Sequence, residues 1–97
     1  RIMIFGGNNG FGNTFGDGAL YDPATNTWAP LPAAGAPSPR SYHTLVSTGS
    51  QAIVFGGDTA DGVTNTGARY DRASNTWLPL ANTNAPSARK YHAAVWT

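Results

Sequence analysis

The chain writes one motif twice. Phe5-Gly6-Gly7 returns as Phe55-Gly56-Gly57, Tyr21-Asp22 as Tyr70-Asp71, and Asn26-Thr27-Trp28 as Asn75-Thr76-Trp77. Ala36-Pro37-Ser38, Arg40 and Tyr42-His43 return as Ala85-Pro86-Ser87, Arg89 and Tyr91-His92. The offset is 50 at the glycine pair and 49 from Tyr21 onward, so one residue is dropped between those anchors. A period of this length marks blades or solenoid units rather than one ordinary globule. Such units cannot bury their faces alone. Each must stack on a neighbour, and the simplest neighbour is another copy of the same unit.

Charge is sparse: six basic and five acidic residues among 97, with no Glu and a single Lys, Lys90. A net charge near +1 without a basic cluster argues against nucleic acid and against an anionic membrane as partners. No apolar run approaches the roughly 18 residues a membrane span needs. No charged-then-apolar leader is visible. Arg1 stands where an initiator Met would, which reads as a chain cut, processed or released from something longer. The absence of Cys excludes disulfides, thiolate metal sites and cysteine nucleophiles. Abundant Gly, Pro, Asn and Thr fit many short strands joined by turns.

One repeat reads as follows. Ile2-Met3-Ile4-Phe5 and Gln51-Ala52-Ile53-Val54-Phe55 are short apolar runs without alternation, which suggests strands covered on both faces. Each ends in two glycines, Gly6-Gly7 or Gly56-Gly57, that permit positive φ or a close backbone approach. An Asn- and Gly-rich loop follows, residues 8–17 or 58–66. A brief strand then ends in Tyr21 or Tyr70. Asp22 to Asn26 and Asp71 to Asn75 are turn chemistry, because Asp accepts a bond from the backbone two residues on and Asn tolerates the left-handed region. The return strand carries Trp28 or Trp77, so Tyr and Trp face each other across a hairpin. The Pro- and Ala-rich stretches 30–39 and 79–88 leave no room for a helix and read as loops. The last strand is placed at 42–48 and again at 91–97, with small residues suited to a crowded axis.

This ordered set resembles the kelch repeat: an apolar strand with Gly-Gly, then Tyr-Asp, Asn-Thr-Trp and Pro-x-x-Arg-x-x-His. The resemblance covers essentially the whole chain, twice. It implies an all-β fold of β-propeller blades, each of four antiparallel strands, two blades per chain. Two features depart from the family's pattern. Tyr42 and Tyr91 stand where relatives with this Arg-x-x-His form often carry Gly, and the family builds closed rings of more than two blades. With strands counted outward from the axis, the chain runs 2-3-4-1-2-3-4-1, divided into repeat 1 over 1–50 and repeat 2 over 51–97. The first blade then lacks its inner strand, and the last strand lacks a blade. Exchange of that strand between copies closes a ring, with a trimer of six blades favoured and a dimer or tetramer as the other options.

The long loops leave one side of the blades, where binding is usually placed. By resemblance, contacts to a protein or glycan fall just after Gly-Gly and just after Arg. Those positions are Asn8 and Asp58 in the first group and Ser41, Tyr42, Lys90 and Tyr91 in the second, with Asn9, Phe11, Thr59 and Asp61 as further candidates in the same loops. Each has a structural reading beside it. The Asn and Asp side chains read equally as caps of their own turns, Phe11 and Phe15 as packing under their loop, and Tyr42 and Tyr91 as wedges between blades. Trp28, Trp77, Tyr21 and Tyr70 are expected in the core, and Trp96 as an interface anchor or a chain end. Asp22 and Asp71 belong to the turns. His43 and His92 are assigned to blade packing rather than to a metal. Arg40 and Arg89 are expected to bind carbonyls or a carboxylate of the Tyr-Asp pair.

No cofactor is expected, and no enzyme. Kelch-like copper oxidases use a Tyr crosslinked to Cys, and iron-dependent relatives need Glu, and both residue types are missing. No Gly-x-Ser-x-Gly elbow and no paired carboxylates are present. Asp58-Thr59-Ala60-Asp61-Gly62 hints at calcium spacing but lacks the further carboxylates and the bidentate Glu. The reading is a non-catalytic self-assembling scaffold, designed or excised, whose loop face suits protein binding. A glycan-binding propeller and a fragment without independent function are the alternatives.

Overall fold

Strands form where the repeat places its apolar runs. The computed structural model describes residues 2–10, 12–81 and 83–95. Within them lie β1 (Ile2–Phe5), β2 (Gly18–Asp22), β3 (Thr27–Pro30), β4 (Thr44–Ser47), β5 (Gln51–Phe55), β6 (Asp58–Thr59), β7 (Gly62–Val63), β8 (Gly67–Asp71) and β9 (Thr76–Pro79). β1, β2 and β3 make a three-stranded antiparallel sheet in that order. β4, β5, β8 and β9 make a four-stranded one. The chain is thus all-β, with sheets of the kind that build propeller blades.

The turns explain the spacing of Tyr, Asp and Asn. In the first outer hairpin the Asp22 carboxylate accepts the Ala24 N–H at 3.0 Å, and Asn26 sits at φ +55°. The Tyr21 hydroxyl donates to Asn26 Oδ1 at 2.7 Å and pins that turn. The second hairpin repeats the device: Asn75 lies at φ +53°, the Tyr70 hydroxyl donates to its side chain, and Ser74 donates to Asp71. Each Tyr also stands opposite a Trp, Tyr21 across from Trp28 and Tyr70 across from Trp77.

The core lies between the two sheets. One face of the second sheet carries Ala52, Val54, Ala68, Tyr70 and Trp77, all buried. It packs on Met3, Phe5, Leu20, Leu31 and Ala36 of the first sheet and its following loop. The Trp77 ring meets Phe5 edge-on at 5.4 Å, and its indole N–H donates to the Pro32 carbonyl at 2.9 Å. The indole thus buries apolar area without orphaning its donor.

Among the described residues, nothing lies over the same face of the first sheet. Ile2 and Ile4 are 57% and 53% exposed, whereas their counterparts Ala52 and Val54 are buried. Trp28 departs from the core position the sequence suggests: it is 57% exposed, against 6% for Trp77. The reason is position. Trp77 has a sheet in front of it, and Trp28 in a single copy does not.

Two further boundaries differ from expectation. The inner strand begins at Thr44 rather than at residue 42, because Tyr42 adopts φ +58°, which no strand accommodates. Its counterpart segment, 91–95, is in no strand: Tyr91 repeats the φ at +56°, and the described residues offer no neighbouring strand to pair with. Residues 58–63, read as loop, form the small β6–β7 hairpin.

Candidate functional site

The glycine pairs, the arginines and the histidines form one junction that carries the loop face. The Gly7 N–H donates to the Arg40 carbonyl at 2.8 Å, and the Gly57 N–H to the Arg89 carbonyl at 2.8 Å. His43 Nε2 lies 2.9 Å from the Phe5 carbonyl and His92 Nε2 3.1 Å from the Phe55 carbonyl. A carbonyl only accepts, so both rings carry their proton on Nε2. Gly6 must lack a side chain here: a Cβ would come within 2.7 Å of the Arg40 carbonyl and 2.9 Å of the His43 ring, at φ +70°. Gly56 repeats this against His92 at 2.6 Å.

Arg40 is 1% exposed. Its Nη1 donates to the Gly56 and Thr66 carbonyls of the second sheet at 3.1 and 2.7 Å. Its Nη2 reaches the Thr66 hydroxyl at 3.3 Å. Ser38 fixes the guanidinium from behind, accepting from Nε at its carbonyl and from Nη2 at its hydroxyl. Arg89 is held in the same way by Ser87, at 3.0 Å for both bonds, but is exposed, and among the described residues it has no second sheet to reach. Burial pulls the Arg40 guanidinium below its ordinary value. Burial likewise lowers His43, partly offset by the Phe5 hydrogen bond and reinforced by Arg40 and His92. Ser38, Ser87, Thr66 and Pro32 are partners that motif reading overlooked. For the serines a signal existed, since each stands two residues before its Arg in both repeats.

Five of the sequence-predicted binding residues converge on the loop face above this junction. Ser41 and Asp58 exchange backbone hydrogen bonds at 3.0 and 2.7 Å. The Tyr91 N–H donates to the Tyr42 carbonyl at 3.1 Å, and the two rings lie 4.3 Å apart. The Lys90 ammonium sits over both rings and pairs with Asp58 at 3.3 Å. Both Tyr rings are exposed. A hydrogen bond with Tyr42 holds the Tyr91 phenol above its ordinary value. The left-handed φ of both residues gives the physical reason why Gly suits this position, and a bulky residue there is strained by about 1–2 kcal/mol.

The remaining candidates lie to one side. Thr59 and Asp61 belong to the β6–β7 hairpin and line, with Asn13, Thr14 and Pro39, a groove of about 500 Å3 between the two long loops. Asn8 accepts the Gly10 N–H at 3.0 Å, the turn-capping role. The Asn9 N–H donates to the Asn13 carbonyl. Phe15 is partly exposed while its backbone ties Gly7 to Arg40. Phe11 and Trp96 lie outside the described residues. Among the described residues no three His, Cys, Asp or Glu side chains gather as a metal site requires. The arrangement offers aromatic area, one ammonium–carboxylate pair and hydrogen-bonding groups, the inventory of a recognition surface.

Compared with models of known families, the chain matches the KLHDC2/KLHL20/DRC7 Kelch-repeats domain over residues 1–97. No curated protein matches it.

Proposed function

The chain belongs to the kelch-repeat family, and from that premise we propose a non-catalytic interaction module that stacks on further copies of itself, head to tail, into a closed propeller. The observation that carries this is the pair of open faces. The face bearing Ile2, Ile4 and Trp28 has the same residue positions as the buried face of the second sheet. Behind the second sheet lies an open hollow of about 600 Å3 lined by Val46, Ile53, Phe55 and His92. Its counterpart on the first sheet, around Met3 and Phe5, is where the second sheet packs. Head and tail are therefore complementary by the same fit that joins the two sheets inside one copy.

Segment 93–95 of one copy then completes the first sheet of the next. By the β4–β5 register, Ala93 falls opposite Phe5, Ala94 opposite Ile4 and Val95 opposite Met3. This covers the open edge of β1, which otherwise invites uncontrolled pairing. Three copies make six blades, and two or four make rings still within the usual range. The Tyr42–Tyr91–Lys90–Asp58 patch is the surface offered to a protein partner. Sedimentation of the wild type against Ile4→Asp tests the assembly, since Ile4 is exposed in a single copy and its change spares the monomer fold. The variant is expected to sediment as one chain while the wild type does not. Equal sedimentation of the two overturns the reading. For the loop face, the double variant Tyr42→Ala and Lys90→Ala should remove partner binding and leave assembly intact.

A further inference from the structure

We propose that Arg89 of one copy docks on the Gly6 and Asp17 carbonyls of a second copy and forms an ion pair with the Asp17 carboxylate. The proposal rests on the head-to-tail assembly just described and names the contact that gives it direction.

The junction inside one copy supplies the template. There Arg40 donates to the Gly56 and Thr66 carbonyls and to the Thr66 hydroxyl. The first sheet presents the equivalent group. Gly56 donates to the Thr66 carbonyl at 2.9 Å, and Gly6 donates to the Asp17 carbonyl at 2.9 Å. Gly67 and Gly18 follow in the chain, and a Cβ on either would strike the neighbouring strand's carbonyl at 2.0 or 2.2 Å. The two backbones are thus built alike at this point. One side chain differs: the place of the Thr66 hydroxyl is taken by the Asp17 carboxylate.

The arginine on the other side is already in position. Ser87 grips Arg89 through Nε and Nη2 at 3.0 Å, as Ser38 grips Arg40 at 3.1 and 3.0 Å. The freedom a long side chain normally loses on docking is already lost. Among the described residues, Arg89 Nη1 has no acceptor and the Asp17 carboxylate has no ion-pair partner. Bringing the copies together supplies both. The carbonyls take the remaining guanidinium protons, which is the condition for a favourable desolvated pair.

The consequence is a junction between copies that differs from the one within a copy. The internal junction is held by neutral acceptors, and the one between copies by opposite charges. A cation lies at the tail and an anion at the head, so tail-to-tail and head-to-head contacts bring like charges together and are disfavoured. Assembly should therefore weaken with salt more than the folding of a single copy does.

Asp17→Thr tests this, because it installs the side chain of the internal junction and removes only the charge. The dissociation constant is measured by sedimentation at low and high salt. We expect about tenfold weaker association at low salt and a flattened salt dependence. Asp17→Arg should abolish association in the range where the wild type assembles. The urea midpoint of each dissociated variant should stay near that of the wild type, since no hydrogen bond among the described residues uses the carboxylate. An assembling wild type matched by Asp17→Thr in both constant and salt slope overturns the ion pair alone. A wild type that is one chain at every concentration overturns the assembly reading and the ion pair with it.

Discussion

Replacing Arg40 with Ala, beside Arg89 with Ala as an internal control, isolates what the guanidinium contributes between the sheets. The two arginines share a local sequence and a local posture. Each makes two hydrogen bonds to the serine two residues before it. Arg40 adds three more, to the Gly56 carbonyl and to the Thr66 carbonyl and hydroxyl. A hydrogen bond to a charged group is worth about 1.5–3 kcal/mol, and an orphaned buried acceptor costs about 1–3 kcal/mol. Against this stands the burial of the charge, so the three bonds do not sum at face value. The net loss for Arg40→Ala is about 3 kcal/mol. Arg89→Ala, at an exposed position, should cost about 0.5 kcal/mol or less in a dissociated copy. The assay is urea unfolding at high dilution. With a slope of about 2 kcal/mol per M, the Arg40 variant should lose about 1.5 M in midpoint and the Arg89 variant almost nothing. Equal shifts for the two variants would refute the account of the junction.

Other outcomes follow from the same geometry. Gly7 and Gly57 lie at φ +97° and +100°, so Ala strains both alike, but only at Gly57 would its Cβ meet the Ser41 carbonyl at 2.6 Å and the His43 Cβ at 2.9 Å. Gly57→Ala should lower the thermal midpoint clearly more than Gly7→Ala, and equal midpoints would contradict the packing described. Trp77→Ala empties a buried site and should cost about 3–5 kcal/mol in calorimetry, whereas Trp28→Ala should leave a dissociated copy nearly unchanged. His43 donates from Nε2 to Phe5, and its buried Nδ1 has no partner among the described residues, so a second proton would be a buried and unpaired charge. Its folded value lies below that of the unfolded imidazole, near 6.5, so below that pH the unfolded chain binds more protons. This contribution is intact above about pH 6.5 and declines as pH falls below it. His43→Gln should flatten that decline, measured as urea midpoints between about pH 5 and 7.5. A His43→Gln profile as steep as that of the wild type would contradict the assignment.

Most of the strand plan was legible because the repeat marks each strand end with a residue that only its backbone requires. The glycine pairs end β1 and β5, and Asn26 and Asn75 close hairpins through positive φ. The β6–β7 hairpin was missed although Asp61-Gly62 is hairpin chemistry, with Gly62 at φ +103°. Its counterpart loop is more glycine-rich and forms only an isolated bridge between Asn8 and Thr14, so comparing the repeats hid it. Trp28 and Trp77 carry the same local sequence and differ only in what lies in front of them. The same holds for Arg40 and Arg89. No local pattern encodes that difference, because burial at these positions is decided by a neighbouring sheet. The residues proposed for binding, Ser41-Tyr42, Lys90-Tyr91 and Asp58, stand at positions the repeat marks. The contact between the two Tyr rings was not legible, since it depends on the left-handed backbone that brings them together.

The most direct test of the central claim is the solution mass by light scattering over a concentration series. Stacking of the open faces predicts a whole-number multiple of 10.1 kDa that persists on dilution, three chains for a six-bladed ring. A mass of one chain at every concentration, or a mass that climbs without limit, would contradict it.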